Sequence, residues 1–290
     1  MKSIKYSLLK SMIPAVKNHP RSFEQNRYVY AVVSRRSHGL SIGINMNPDK
    51  FCNFDCVYCQ VDRTTPGIDA KIDLRLLEKE LRDMLDLYRS GELKKHASFE
   101  DTPDELLQLH DVALSGDGEP TLCKDFAATC ECVDRIRREP GQPPFEIVLI
   151  TNATGLHLPE VRQGLSFFSD QDEIWAKLDA GTDAYLRTID RTGVKLALIL
   201  ENIMAIGQRR PVIIQTLLLE HRRQGPSDQE IDAYLQRLSW LKDQGCRIKL
   251  VQVYSIARPP ADADARPLDR STLEAIADRI ERLGLKAEVF

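Results

Sequence analysis

The chain has 290 residues, of which 42% are hydrophobic and 29% charged, and its net charge is −3. Such a chain can bury a full core without disulfides or structural metals. No apolar run reaches the roughly 18 residues of a membrane span, so the sequence predicts no membrane segment. The lysine-rich start predicts no secretory signal. Seven cysteines, an odd number with three of them clustered, favour a reducing, cytoplasmic location over a disulfide framework.

Charge is unevenly distributed along the chain. Residues 1–39 carry eight Lys and Arg against one acidic residue, a net charge of +7, which leaves −10 for the remainder. A basic arm on an acidic body suggests an anionic partner such as nucleic acid. The simpler interpretation is a solvated arm that packs across the body. We therefore divide the chain into a basic N-terminal extension (1–39) and a core domain (40–290).

From residue 40 onwards, segments with strand character alternate with segments of helical periodicity. The predicted strands are 41–47, 111–115, 145–151, 173–179, 212–220 and 248–256. The predicted helices are 71–88, 125–138, 158–167, 182–190, 194–207, 228–244 and 270–283. This order indicates an α/β domain in which a parallel sheet is joined by right-handed crossovers. Six strands are each followed by a helix.

Polar residues gather at or just beyond the carboxyl ends of the predicted strands. They are the turn Gly116-Asp117-Gly118-Glu119-Pro120, Thr151 with Asn152, Lys177 with Asp179, Gln215 with Thr216, and Tyr254 with Arg258. Parallel α/β folds bind their ligands at this edge of the sheet. Their shared position therefore predicts a ligand site, although a hydrogen-bonded polar layer would also explain each residue taken alone.

The stretch FCNFDCVYCQ (51–60) places Cys52, Cys56 and Cys59 within eight positions, after the first predicted strand. Thiolates bind soft metals and are the usual ligands of iron–sulfur clusters. A structural zinc site needs four closed ligands, and no fourth Cys or His lies at zinc-finger spacing. Three cysteines on a four-iron cluster would leave one iron open.

The C-x3-C-x2-C spacing, with Tyr58 before the last cysteine, resembles the signature of the radical S-adenosylmethionine (SAM) superfamily. The resemblance implies a partial (β/α)6 TIM-like barrel, which agrees with the six units above. It also implies that Cys52, Cys56 and Cys59 hold a [4Fe-4S] cluster. SAM would then be cleaved reductively to a 5′-deoxyadenosyl radical that abstracts hydrogen from a substrate. A reducing donor such as flavodoxin or ferredoxin is implied as well.

The same resemblance assigns the residues that would bind SAM. In the superfamily, the turn after the second strand reads Gly-Gly-Glu-Pro and holds the amino group of SAM, and the variant here offers Gly116, Gly118 and Glu119. Glycines let the backbone approach a ligand, and a carboxylate pairs with an ammonium group. Asn152, Lys177 and Asp179 would lie near the ribose and carboxylate. Tyr58 would pack near the adenine or cap the cysteine loop.

The stretches SRRSHGLSIGIN (34–45) and NPDKFCNFDCVYCQVDR (47–63) are similar to one group within the superfamily. This group contains the tRNA wyosine-base (4-demethylwyosine) synthases and bacterial relatives. The similarity runs over roughly residues 28–260. It makes tRNA a candidate substrate, bound through the basic arm. The wyosine synthases hold pyruvate on a lysine, for which Lys50 and Lys177 are candidates here.

Other classes of function remain open at this stage. One is a glycyl-radical-type activase that acts on a protein, and another is a non-catalytic iron–sulfur protein for electron transfer or sensing. A nucleic-acid-binding module would rest on the basic arm alone. Cys130 and Cys132 lie two apart on a predicted helix and so do not share a face, which disfavours their binding one metal together. These two cysteines, with Cys123 and Cys246, are predicted to be buried thiols.

Overall fold

The computed structural model describes residues 23–68 and 70–290. Its main sheet has eight strands in the order β1-β2-β3-β4-β5-β6-β8-β10, and β7 pairs with β9 in a separate small sheet. The strands are β1 (Val29–Ser34), β2 (Gly39–Asn45), β3 (Leu109–Ser115), β4 (Glu146–Thr151), β5 (Glu173–Lys177), β6 (Val212–Leu217), β7 (Leu219–His221), β8 (Ile248–Tyr254), β9 (Ala265–Pro267) and β10 (Ala287–Val289). The predicted α/β fold, a partial TIM-like barrel, is confirmed.

The helices between the strands are α1 (Leu74–Arg89), α2 (Phe126–Arg137), α3 (Pro159–Leu165), α4 (Asp183–Ile189), α5 (Leu196–Gly207), α6 (Asp228–Asp243) and α7 (Arg270–Glu281). All predicted strands and helices are present, with ends within three residues of the predicted ones. In the described part of the chain, no helix has the length and apolar character of a membrane span.

The chain divides into two compact units. The first contains the described residues up to Phe51, Gly67–Val148 and Arg162–Asp172. The second contains Cys52–Pro66, Leu149–Val161 and Glu173–Phe290. The cysteine loop therefore belongs to the second unit, and the Gly-rich turn after β3 belongs to the first.

In the first unit, β1 runs antiparallel to β2, and β2 runs parallel to β3. Asp73 caps α1 by accepting from the backbone N–H groups of Arg75 and Leu76. The buried face of α1 also carries Glu80, whose carboxylate accepts the backbone N–H groups of Arg27 and Tyr28 at 2.8 Å each. A third bond comes from the N–H of Val29 at 3.1 Å. Glu80 thereby holds the start of β1.

Strand β1 begins within the segment that the sequence assigned to the N-terminal extension. Residues 29–34 read VYAVVS, and the first five of them are buried. Their pairing with β2 runs from Val29↔Ile44 to Ser34↔Gly39. The excess of basic residues in this region concealed a short run with high β propensity. Residues 1–22, which carry most of the predicted basic arm, lie outside the described residues.

In the second unit, β5 pairs with β6, β6 with β8, and β8 with β10, all in parallel. The register aligns Lys177, Gln215 and Gln252, so these side chains share one face of the sheet. The predicted strand 212–220 is split between β6 and β7. It is split because β6 pairs with β8 as far as Leu217↔Tyr254, whereas the residues from Leu219 onward pair antiparallel with β9.

Candidate active site

The cysteine loop (residues 52–60) lies outside regular helices and strands, and its three cysteines are half-buried and form no disulfide. Its apolar residues Phe54 and Val57 are 6% and 1% exposed, so they fasten the loop to the core. The N–H of Cys59 bonds to the carbonyl of Cys56 at 2.9 Å, which closes a turn between these two cysteines. The loop therefore presents its sulfur atoms from a backbone that two buried side chains hold in place.

The segment that follows α4 holds the loop through its backbone. The N–H of Val57 donates to the carbonyl of Ile189 at 2.8 Å, and the N–H of Asp55 donates to the carbonyl of Asp190 at 3.1 Å. Nearby, the Thr192 hydroxyl donates to the carbonyl of Asn53 at 3.0 Å. The loop is thus supported by three hydrogen bonds over five residues, none of which the sequence predicted.

A compact polar cluster lies beside the loop and consists of Tyr58, Lys177, Asp179, Asp190 and Tyr254. The Tyr58 hydroxyl contacts both carboxylates, with a short hydrogen bond to Asp179 and one of 3.0 Å to Asp190. Lys177 Nζ lies 3.1 Å from Asp179 Oδ2 and 3.1 Å from the Tyr254 hydroxyl. It also lies 4.9 Å from the ring centroid of Tyr58, within cation–π range.

The electrostatics of this cluster follow from its burial and its opposed charges. Burial by itself lowers the pKa of Lys177, but the neighbouring Asp179 carboxylate and Tyr254 outweigh it, so that the pKa is raised. Burial and the charge of Asp179 raise the pKa of Asp190, although Lys177 acts in the opposite direction. Lys177 is therefore a fixed ammonium ion at neutral pH.

All three cysteines of the loop have charged neighbours. Burial and the Asp190 carboxylate raise the pKa of the Cys56 thiol. Burial lowers the pKa of Arg63, yet the nearby thiols of Cys59 and Cys52 raise it above its ordinary value. Arg63 Nε also lies 3.9 Å from Asp55 Oδ1. A thiolate at Cys56 thus needs a strong positive partner, which bound iron ions would supply.

The residues present fit a four-iron cluster better than a single ion. Among residues 23–68 and 70–290, no three Cys, His, Asp or Glu side chains form a group able to hold one metal ion. A four-iron cluster sets a different requirement, since each cysteine binds a different iron atom and the sulfurs do not converge on one centre. Three half-buried thiols on one well-supported loop meet it.

In the first unit, the turn after β3 is shaped by two glycines. Gly116 has φ = 148°, a conformation that favours glycine. The Asn45 side chain organises the turn: its Oδ1 accepts the N–H of Asp117 at 3.1 Å and its Nδ2 donates to Asp117 Oδ2 at 2.9 Å. A Cβ atom on Gly118 would lie 1.9 Å from the carbonyl oxygen of Phe51. Only glycine fits at this point, directly beside the residue that precedes Cys52.

Glu119 continues this turn and is 3% exposed. Its N–H donates to the Phe51 carbonyl at 3.0 Å, and its Oε1 accepts from the N–H and hydroxyl of Thr121 at 3.1 and 2.5 Å. The carboxylate therefore caps the short 3-10 helix Pro120–Leu122. The turn therefore carries a buried carboxyl group whose orientation is fixed.

Asn152, at the end of β4, also contacts the cysteine loop. Its Nδ2 donates to Asn53 Oδ1 at 2.8 Å, and its Oδ1 accepts the N–H of Thr154 at 3.0 Å. The Asn53 amide in turn donates to the Thr154 hydroxyl at 2.9 Å. The prediction that Asn152 contacts SAM stays a prediction, and the observed contacts give it a second role in holding the loop.

The structure shows residues that sequence reasoning missed. Asp190 carried no sequence signal because it ends a predicted helix, and Asn53 and Asn45 lie within the quoted stretches 51–60 and 34–45, where no pattern distinguished them. Gln252 pairs with Gln215, whose Nε2 donates to Gln252 Oε1 at 2.8 Å. The two residues meet because β6 and β8 pair in a register that places Gln215 opposite Gln252, and the sequence does not reveal this register.

The remaining cysteines are buried, as predicted. Cys123, Cys130, Cys132 and Cys246 are free thiols with little exposed surface. Burial raises the pKa of Cys123 and of Cys246 to about 11. Such thiols are protonated and unreactive near neutral pH.

These features define a class of protein. The model of the radical SAM superfamily matches residues 46–238, and the chain belongs to this superfamily of enzymes. The matched range begins just before the cysteine loop and ends within α6.

Comparison with individual proteins narrows the class. The chain is 31% identical over 220 residues to a UPF0026 protein of Synechocystis sp., covering 74% of this chain and 71% of that protein. It is 30% identical to a UPF0026 protein of Methanocaldococcus jannaschii, covering 66% of this chain but only 53% of that protein. Among solved structures, TYW1 with a lysine-pyruvate adduct bound has a TM-score of 0.55 at 14% identity, covering 85% of this chain and 74% of that chain. The last likeness shows the fold alone.

Proposed function

We propose that this radical SAM enzyme binds a [4Fe-4S] cluster through Cys52, Cys56 and Cys59, and SAM beside it. The observation that carries the proposal is a loop with three half-buried cysteines at superfamily spacing, which hydrogen bonds to the segment after α4 hold in place within one unit. When bound, the reduced cluster would supply the electron for cleavage of SAM to methionine and a 5′-deoxyadenosyl radical, the species that would take hydrogen from a substrate.

The residues of the chain have separate tasks in this proposal. Gly116 and Gly118 let the backbone approach the methionine end of SAM, and Glu119 supplies a carboxylate for its ammonium group. These assignments follow from the family, and the tight form of the turn supports them. Tyr58, Asn152, Lys177 and Asp179 are proposed to line the remainder of the SAM site, with Lys177 as a fixed cation for a carboxylate.

For the substrate, we propose two classes of macromolecule. The similarity to the wyosine-synthase group makes tRNA a candidate substrate, and the basic N-terminal residues would bind it. A protein substrate, as for a glycyl-radical-type activase, is the alternative. A flavodoxin or ferredoxin in the cytoplasm is the proposed electron donor. No contact within the described residues favours one substrate over the other.

The decisive experiment is anaerobic reconstitution with iron and sulfide, followed by reduction, addition of SAM and an assay for 5′-deoxyadenosine. The wild type should form it, and the Cys52/Cys56/Cys59→Ala variant should not. Cys123→Ser is a matched control, since it removes a buried thiol from the first unit. A fully loaded wild type that forms no deoxyadenosine, even with cell extract as a source of substrate, would refute the radical reaction. If deoxyadenosine does form with extract, adding the RNA fraction and the protein fraction separately shows which of the two contains the substrate.

A further inference from the structure

Tyr58 lies in the half of the loop that carries Cys56 and Cys59, and its hydroxyl is bonded to two carboxylates. Asp179 lies two residues beyond β5, and Asp190 directly follows α4. One side chain of the loop is thus tied to the ends of two different elements. An apolar residue at this position would suffice for packing alone, so the hydroxyl calls for a separate explanation.

The Asp179 end of this connection is rigid. Its Oδ1 accepts the N–H of Leu217 at 2.7 Å, and its Oδ2 lies 3.1 Å from Lys177 Nζ. The Asp179 side chain is 2% exposed. Each of its oxygens is therefore held by the protein, and the carboxylate cannot swing away from Tyr58 without breaking an ion pair and a backbone hydrogen bond.

The Asp190 end is tied to the loop twice. Its side chain meets the Tyr58 hydroxyl, and its backbone carbonyl accepts the N–H of Asp55 at 3.1 Å. The Tyr58 hydroxyl thus belongs to a hydrogen-bond network that connects the loop to Asp190 at two points. Loss of a member in such a network weakens the others, because each bond restricts the position of the next.

We propose that Tyr58 is a positioning residue whose hydroxyl, bonded to Asp179 and Asp190, fixes the Cys56–Cys59 half of the loop before a cluster is bound. The inference rests on the proposed function, since the cluster is what the loop would hold. Sulfur atoms that are already in place spare the chain the entropy of ordering them on binding. They also leave the cluster less free to dissociate.

The ring and the hydroxyl of Tyr58 have separable roles. The ring packs against an apolar cluster that includes Val57, Ile189 and Tyr254. Tyr58→Phe keeps this packing and removes only the hydroxyl. Tyr185 packs against the same cluster, and its hydroxyl makes no hydrogen bond with another described residue. Tyr185→Phe is therefore a matched control.

The test begins with cluster-free protein under anaerobic, reducing conditions. Hydrogen exchange measured by mass spectrometry should show peptides containing Asp55 and Val57 exchanging about tenfold faster in Tyr58→Phe than in the wild type. Tyr185→Phe should match the wild type. Asp190→Asn should also accelerate exchange, and its effect should not add fully to that of Tyr58→Phe, because both act on one network.

The second readout uses reconstituted protein. Tyr58→Phe should lose iron to a chelator several times faster than the wild type, and the electron paramagnetic resonance spectrum of its reduced cluster should broaden. Unchanged exchange at Asp55 and Val57 together with unchanged iron loss would overturn the inference. If the wild type binds no cluster, the proposed function fails, whereas the exchange measurement still decides whether Tyr58 anchors the loop.

Discussion

The contacts of the Asp179 carboxylate in the fold give it a role that its position in the sequence did not reveal. In the sequence it is a polar residue at a strand end, predicted to contact SAM. In the fold it bonds to Leu217, Tyr58 and Lys177. The pairing keeps Lys177 charged, and this has a chemical consequence, because only a neutral amine attacks a carbonyl group.

We therefore predict that Lys177 does not form an imine with a keto acid near neutral pH. The raised pKa keeps its amine protonated, and the ion pair loses its stabilising effect only in strongly alkaline solution. Pyruvate with borohydride trapping and peptide mapping should leave Lys177 unmodified. Asp179→Asn removes the paired carboxylate, lowers the pKa of Lys177 and should allow some adduct. A trapped adduct on wild-type Lys177 would contradict this prediction.

Gly118 gives a second prediction for a single residue. A Cβ atom there would overlap the Phe51 carbonyl, so Gly118→Ala should lower the free energy of unfolding by about 2–3 kcal/mol. At Gly193 a Cβ atom would meet nothing within 4 Å. Gly193→Ala should be neutral or stabilise by about 0.5 kcal/mol. Urea unfolding followed by circular dichroism compares the two, and equal effects would show that the turn tolerates a side chain.

At the scale of elements, connections between helices and strand ends determine where the loops lie. Helix α1 holds β1 through Glu80, and the end of α4 holds the cysteine loop through two carbonyl groups. In both cases a neighbouring element supplies the hydrogen-bond acceptors for backbone N–H groups that have none from strand pairing. Buried N–H groups need such partners, which explains why these contacts recur.

Glu80→Ala should consequently destabilise the first unit strongly. It leaves the N–H groups of Arg27, Tyr28 and Val29 without their acceptor, and we expect a loss of at least about 3 kcal/mol. Glu78→Ala on the same helix removes only partly exposed ion pairs and should cost about 1 kcal/mol or less. Thermal unfolding combined with hydrogen exchange of β1 measures both. Similar losses for the two variants would show that Glu80 does not anchor β1.

At the scale of the whole molecule, each unit has its own arrangement of strands, helices and buried apolar side chains. The three clustered cysteines lie on a loop and form no part of this core. A domain whose folding depends on its metal unfolds when the metal is removed. This chain has the length and core to fold without one.

The Cys52/Cys56/Cys59→Ala variant should therefore keep the far-ultraviolet circular dichroism spectrum of the wild type and a cooperative thermal transition. The cluster-loaded wild type should melt at a higher temperature than the cluster-free wild type, because a ligand that binds only the folded state stabilises it. Iron chelation should abolish this increase. A triple variant that lacks ordered secondary structure would show that the cysteines are needed for folding.

Much of the fold was readable in the sequence because it depends on local periodicity. Helical and strand patterns located every predicted element to within three residues, and cysteine spacing identified the superfamily. Strands β1, β9 and β10 were missed, the first within a basic segment and the other two because each is only three residues long. The break between β6 and β7 was missed because it depends on a change of pairing partner from β8 to β9, which a local pattern does not show.

The candidate site was predicted only in part. The cysteine motif singled out Tyr58, and order along the chain singled out Asn152, Lys177 and Asp179, because polar groups at strand ends point to one edge of a parallel sheet. Their partners Asn53, Asp190 and Gln252 could not be found this way. Tyr58 and Asp190 are 132 positions apart, and their contact depends on how the chain returns to the loop after α4. The sequence by itself determined most of the helices and strands and the candidate iron ligands, since both follow from local chemistry. Only the tertiary structure decided which side chains meet, because contacts between distant residues depend on the packing of every element between them.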